Sequence, residues 1–264
     1  MRATHLHDKD TIERALRRNT LLHVYEIGDL DDFFWPYTVW HALEEDGRIA
    51  EVALLYSGSP LPVLIALADA PERMTELLRR IRHLLPVNLY AHLSNGVLEA
   101  LGDRYAADSH GPHVKMGLTR PEMLTAIETE GVVRFTTDDQ QELSWFYDEV
   151  YPGNWFEPRM LETGHYYGVR RGGRIASAAG VHVYSPRYRV AALGNITTRS
   201  EHRGQGLATR VCAKLCTELL QTVTHVGLNT RAANAPALAC YRRLGFEVVG
   251  RYEEMSLERH IINT

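Results

Sequence analysis

The sequence predicts a mixed α/β chain made of two successive α/β segments. Three observations predict it. Short apolar runs of strand length alternate with longer runs whose apolar residues recur at helical spacing. A polar turn carrying two glycines joins one strand to a strongly amphipathic helix in the second half. Of the 264 residues, 45% are hydrophobic, enough core for one large domain or two small ones.

In the first segment, the spacing of Leu16, Leu21 and Leu22 predicts a helix over Thr11–Tyr25. Trp35–Leu43 and Ile49–Tyr56 read as strands around the polar turn Glu44-Glu45-Asp46-Gly47, and Pro62–Ala68 as a buried strand. Met74, Leu77, Leu78, Ile81, Leu84 and Leu85 give Glu72–Leu85 one apolar helical face. Asn88–Leu93 follows as a strand, Val97–Tyr105 as a short helix and Val114–Leu118 as a last strand. Gly111, Pro112, Gly117 and Pro121 mark a boundary within Ser109–Glu122, giving domains over 1–118 and 125–264.

In the second segment, Val132–Phe135 is a short strand, and Thr137 or Asp138 is placed to cap a helix over Asp139–Val150 that Pro152 and Gly153 end. A helical turn at Pro158–Glu162 precedes strands His165–Arg170 and Arg174–Tyr184, joined by the hairpin turn Arg171-Gly172-Gly173. Strand Arg189–Thr197, helix Gly206–Gln221, strand His225–Asn229, helix Ala235–Leu244, a strand from Phe246 and a last strand over Glu253–Glu258 complete the chain. No exact internal repeat occurs, although both segments share a coarse order of elements.

Charge and cysteines narrow the function classes. With 29 basic and 33 acidic residues, net charge -4, no basic surface for nucleic acid is expected. No run approaches the roughly 18 apolar residues of a membrane span. The start, MRATHLHDKD, lacks the apolar stretch of a signal peptide, so a cytoplasmic location is expected. Cys212, Cys216 and Cys240 suggest neither a disulfide framework nor a metal spacing, and no metal site is expected.

The informative stretch runs from Thr198 to Ala208. Arg203-Gly204-Gln205-Gly206-Leu207-Ala208 stands at a helix entrance, with Thr209 just inside. Glycines let a ligand approach the backbone, and the first helical N–H groups have no intrahelical acceptors. A pyrophosphate suits such an end, with Arg203 adding positive charge. Leu207, Val211, Leu215 and Leu219 form the seam that would fix the helix. The same turn also serves as a plain structural helix entrance. It is neither GxxxxGK[ST] nor GxGxxG, which excludes a P-loop and argues against a nicotinamide site.

With Asn234, Tyr241 and Leu244-Gly245-Phe246 downstream, the sequence resembles the Gcn5-related N-acetyltransferase (GNAT) superfamily. Arg203, Gly206 and Ala208 match its glycine turn, and Asn234 through Phe246 its second signature. The resemblance covers roughly Gly131–Leu257 and implies a central mixed, splayed sheet flanked by helices. The first segment is similar to the degenerate acetyltransferase-like domain of two-domain members. It has no such glycine turn, so one cofactor site per chain is expected, and a role for it in the acceptor site or in a homodimer stays open.

The resemblance implies an acyl-CoA-dependent N-acyltransferase moving acetyl from acetyl-CoA to a small-molecule or peptide primary amine by direct attack. Backbone groups at Ile196, Thr197 and Thr198 would pair with the pantetheine arm, and Gly204 through Thr209 would hold the pyrophosphate. Asn229, at the end of the second splayed strand, would be a further cofactor-binding residue. Asn234 would contact pantetheine, cap its helix, or both. Tyr241 would be the general acid for the leaving thiolate, and Cys240 no nucleophile. Asn195 could orient a water, while His182, Tyr184, Glu149, Glu157 and His225 all stay open as base. Trp145, Phe146, Trp155 and Phe156 serve either the core or an acceptor pocket. The rival reading is a non-catalytic acyl-CoA-binding sensor or scaffold.

Overall fold

The computed structural model describes residues 1–260. Along them run β1 (Arg2–Leu6), α1 (Lys9–Leu16), α2 (Val24–Gly28), β2 (Thr38–Glu45), β3 (Arg48–Tyr56), β4 (Val63–Ala66), α3 (Pro71–Ile81), β5 (Asn88–Ser94) and β6 (Tyr105–Leu118). Then follow β7 (Val133–Phe135), α4 (Gln140–Val150), β8 (Tyr166–Arg171), β9 (Arg174–Ser185), β10 (Val190–Thr198), α5 (Leu207–Leu219), β11 (His225–Arg231), α6 (Ala235–Arg243) and β12 (Phe246–Arg259). The mixed α/β class is as expected. Among the described residues no helix is long and apolar enough to cross a membrane.

The chain divides into two compact units. Unit 1 holds residues 1–115, 231–233 and the chain from Val249; unit 2 holds 116–230 and 234–248. This differs from the expected second domain, 125–264, at its C-terminal end. From Tyr252 to Glu258, β12 pairs antiparallel with β5 and therefore belongs to unit 1. The expected boundary over Ser109–Glu122 begins inside β6, where Gly111 and Pro112 continue a strand. Phe246 and Glu253–Glu258, expected on separate strands, lie on one.

In unit 1 the strand order is β1-β2-β3-β4-β5-β12-β6, with only β4 and β5 parallel among β1 to β5. One face carries Leu43, Leu64, Leu89, Leu93 and Leu257, against which α3 buries Met74, Leu77, Leu78 and Ile81. Each such side chain contributes about 1.5–3 kcal/mol on burial. The helix expected over Thr11–Tyr25 is broken. Asp8 caps α1 by accepting from the Thr11 N–H at 2.9 Å, and a 3-10 turn at Arg17–Asn19 ends it. There the Asn19 side chain accepts from the Leu22 N–H at 3.3 Å, competing with a helical partner. The helix expected at Val97–Tyr105 is a 3-10 turn over Val97–Ala100.

Unit 1 also buries charge. Glu26 lies 3.0 Å from His23 Nδ1 and 3.5 Å from Lys115 Nζ, and all three are buried. Burial pushes the Glu26 carboxyl up, but Lys115 and His23 outweigh it and hold it down at about 2. Glu254 accepts from Tyr90 at 2.5 Å and Tyr252 at 2.8 Å, beside His92 and His113.

In unit 2 the order is β11-β10-β9-β8-β7, parallel between β10 and β11 and antiparallel elsewhere. Phe135, Leu143, Phe146, Tyr147, Leu161 and Tyr166 form the core under α4. The cap is Thr136, not Thr137 or Asp138. Its hydroxyl accepts from Asp138 N–H at 3.3 Å, and its N–H donates to Asp139 Oδ2 at 2.8 Å.

Replacing Lys115 by Met strands the Glu26 carboxylate in unit 1. A loss of about 3–5 kcal/mol at neutral pH is expected by urea unfolding, partly recovered by adding Glu26→Leu. Because the folded carboxyl is held down, the wild-type contribution is present above the usual value of 4.5 and fades as pH falls toward about 2.

Candidate functional site

The site begins with the register of β10. Its parallel pairing to β11 runs from Val190↔His225 to Leu193↔Leu228 and stops there. Both strands continue, so Gly194 onward and Asn229 onward stand apart: the sheet splays. Opposite β9, Gly194 faces Gly180 and Thr197 faces Ala178, so Asn195 and Ile196 bulge against the single residue Ala179. Asn195 takes φ +52°, uncommon outside glycine. Its carbonyl accepts from the buried Tyr147 hydroxyl of α4 at 2.8 Å, and its Nδ2 donates to the Tyr166 hydroxyl of β8 at 3.0 Å. The Asn195 amide is therefore committed inside unit 2, with 4% of the residue exposed, and its clearest work is to hold the bulge rather than to orient a water.

Beyond the bulge, Thr197 O accepts from Ser177 Oγ at 3.1 Å, and Thr198 O accepts from Arg203 Nε at 3.1 Å. Arg203 thus folds back onto the strand end. Gly204 and Gly206 both take φ +75°, Gly206 as the residue preceding α5. Gly204, Gln205 and Gly206 are exposed. The first intrahelical bond of α5 is Arg210 N–H to Gly206 O at 3.1 Å, which leaves the N–H groups of Leu207, Ala208 and Thr209 outside the helical ladder. No side chain caps this end. It presents backbone donors and the positive end of a helix.

The Thr209 hydroxyl is buried 3.2 Å from Cys240 Sγ, so it ties α5 to α6 instead of facing the turn. Asn234 caps α6, its Oδ1 accepting from Ala237 N–H at 3.3 Å. Tyr241, on the same helix, is buried with its ring edge-on to Phe246. Asn229 lies one residue past the last β10–β11 pair, and its Oδ1 is buried with no hydrogen-bond partner among the described residues. A buried amide oxygen at a strand divergence is an acceptor waiting for a donor.

The other candidates separate by environment. Glu149 accepts from Arg199 at 2.7 Å, a bond that holds its carboxyl below the usual range, and also pairs with Arg174. Glu157 pairs with Arg159 at 2.6 Å. His225 begins β11 at the paired end, away from the divergence. His165 packs against Tyr184 with ring centroids 4.3 Å apart and the planes tilted by 59°. Burial pushes the thiols of Cys212, Cys216 and Cys240 up, which suits packing rather than nucleophilic attack. Phe146 belongs to the core and Phe156 packs against it, whereas Trp145 and Trp155 are exposed. No group of three or more metal-ligating side chains has a metal-holding arrangement among the described residues.

Residues 130–246 match the family model described as Acetyltransferase (GNAT) family. No curated protein sequence matches the chain. Among solved structures it is similar to a GCN5-related N-acetyltransferase from Sphaerobacter thermophilus, at 15% identity, TM-score 0.61, 100% of this chain and 97% of that one. It is also similar to a putative GNAT-family acetyltransferase from Novosphingobium aromaticivorans, at 20% identity and TM-score 0.57, over 79% of this chain and 89% of that one. A third is a tandem GNAT protein of the clavulanic acid biosynthesis pathway, at 18% identity and TM-score 0.57, over 97% and 98%. At these identities the likeness is one of fold.

The bulge supplies a stability test. Tyr147→Phe removes the donor to the buried Asn195 carbonyl and is expected to cost about 1–3 kcal/mol in denaturant unfolding. An unchanged midpoint would show that the bulge stands without it.

Proposed function

Residues 130–246 belong to the acetyltransferase (GNAT) family, behind an additional α/β domain, and from that premise we propose that the chain is an N-acetyltransferase taking acetyl-CoA and a primary amine. The observation that carries the reading is the pair of positive-φ glycines leading into uncapped α5, beside two parallel strands that part after Leu193 and Leu228.

The residues present fit the group. Leu207, Ala208 and Thr209 offer backbone N–H groups, and Gly204, Gln205 and Gly206 leave room for phosphate oxygens to reach them. Ile196, Thr197 and Thr198 would carry the pantetheine arm along β10, with the unpartnered Asn229 Oδ1 on β11 as a further acceptor. Arg203 would add charge, and Asn234 would keep α6 in place. Bound acetyl-CoA supplies an acetyl thioester. The chain's own part is to align it, to exclude water, and to give a proton from Tyr241 to the departing sulfur. Tyr241 is buried, 6% exposed, and its hydroxyl is a hydrogen-bond donor with a proton to give.

Calorimetry with acetyl-CoA tests the binding half. Gly206→Glu puts a carboxylate where phosphate would lie, so affinity should fall at least about tenfold. Equal affinity would remove the glycine turn from the site. Thiol release across an amine panel tests the chemical half. Tyr241→Phe should lower kcat by about 10²-fold while acetyl-CoA affinity stays within about threefold. Binding without thiol release on any amine would favour a non-catalytic binding module.

A further inference from the structure

His182 occupies a special place in β9. Val183 pairs with Ala192 and Val181 with Leu193, two consecutive residues of β10, so His182 is the extra residue of a bulge. A bulge turns a side chain away from the direction strand alternation would give it. This one turns the imidazole across the backbone of Gly194, where a Cβ would run into the ring. Gly194 is the first residue of β10 beyond the last pair with β11. The next residues, Asn195 and Ile196, form the second bulge. Two bulges on facing strands thus bring one imidazole to the point where the sheet opens.

On the acetyl-transfer reading above, on which this rests, we propose that His182 is the general base that takes the proton from the attacking amine. Imidazole is the side chain whose ordinary titration lies nearest neutrality. The other imidazole nearby, His165 just ahead of β8, packs against Tyr184, and burial pushes it down. α4 brings Tyr147, whose hydroxyl burial pushes up, and Glu149, bound to Arg199. The 3-10 turn at Pro158–Thr163 brings Arg159 with its partner Glu157. β8 brings Tyr166, also pushed up by burial, and α5 brings Cys212, likewise. The amine nitrogen sheds two protons overall. One passes from the ammonium to His182 and on to solvent. The nitrogen lone pair then forms the bond to the acyl carbon, and the carbon–sulfur bond breaks with its electron pair on sulfur. Tyr241 protonates that sulfur, and the second nitrogen proton restores Tyr241.

The test compares wild type with His182→Gln and His182→Ala. Thiol release is followed from pH 5.5 to 9, with water alone and with the amine panel, beside calorimetry with acetyl-CoA. The expected result is a rate about 10²–10⁴-fold lower in His182→Gln, with the acid limb lost, affinity within about threefold, and partial rescue of His182→Ala by added imidazole. A readout independent of turnover is the His182 ring-proton resonance, assigned by its disappearance in His182→Gln, which should shift when coenzyme A is added. A His182→Gln variant that keeps both rate and acid limb overturns the assignment. So does a wild type that binds acetyl-CoA but releases no thiol. A wild type that does not bind acetyl-CoA overturns the transfer reading itself, and calorimetry alone makes that distinction.

Discussion

The β10–β11 ladder ends at Leu193 and Leu228, and everything offered as a site follows from that termination. A strand that continues without its neighbour leaves backbone donors and acceptors that need other partners. Side chains take several of these places. Tyr147 donates to Asn195 O, Ser177 to Thr197 O and Arg203 to Thr198 O. Among the groups left at the opening are the first N–H groups of α5, outside the helical ladder, and the Asn229 Oδ1, without a hydrogen-bond partner among the described residues.

Unit 1 has the same parallel pair without the same consequence. Strands β4 and β5 pair from Val63↔Tyr90 to Ala66↔Leu93, and β4 ends there. Just beyond, the Ser94 hydroxyl accepts from the Ala68 N–H at 3.0 Å and donates to the Ala68 carbonyl at 3.3 Å. The helix that follows begins at Pro71-Glu72, with Asp69 just ahead of it. An acidic first turn with no glycine entrance repels a phosphate instead of holding one. One serine therefore occupies the strand end here, and the helix end carries acidic rather than glycine residues.

Legibility in the sequence followed the range of the forces. The faces of α3 and α5 were readable because apolar periodicity is local, and so was the glycine turn, whose backbone demand is met by few residue types. Past α1, Arg18 donates to the carbonyls of Ile49 and Ala50, a long-range contact that no local pattern announces. Gly111 and Pro112 read as a linker, yet they lie in β6, where Pro112 O accepts from Ala232 N–H at 2.9 Å. The pairing of β12 with β5 joins residues more than half the chain apart. At the site, Gly204 to Gly206 could be named from sequence, but the two bulges could not, because register belongs to a pair of strands. That is why His182 stood level with Tyr184, Glu149, Glu157 and His225 until the strands were set side by side.

Other histidines complicate the acid side of any pH profile. Burial pushes His41 and His92 of unit 1 down to about 4. Each binds protons more readily unfolded than folded between the ordinary 6.5 and about 4, so their contribution is lost as pH falls through that window. The fold thus weakens over a range that overlaps the titration of an ordinary imidazole. On the proposed role of His182, a falling rate in acid would have two sources, and the wild-type curve alone would not divide them. Substitution at His182 does, because it leaves His41 and His92 in place. The pH dependence of unfolding should persist in that variant while the acid limb of turnover disappears, and the difference between the two curves belongs to proton transfer.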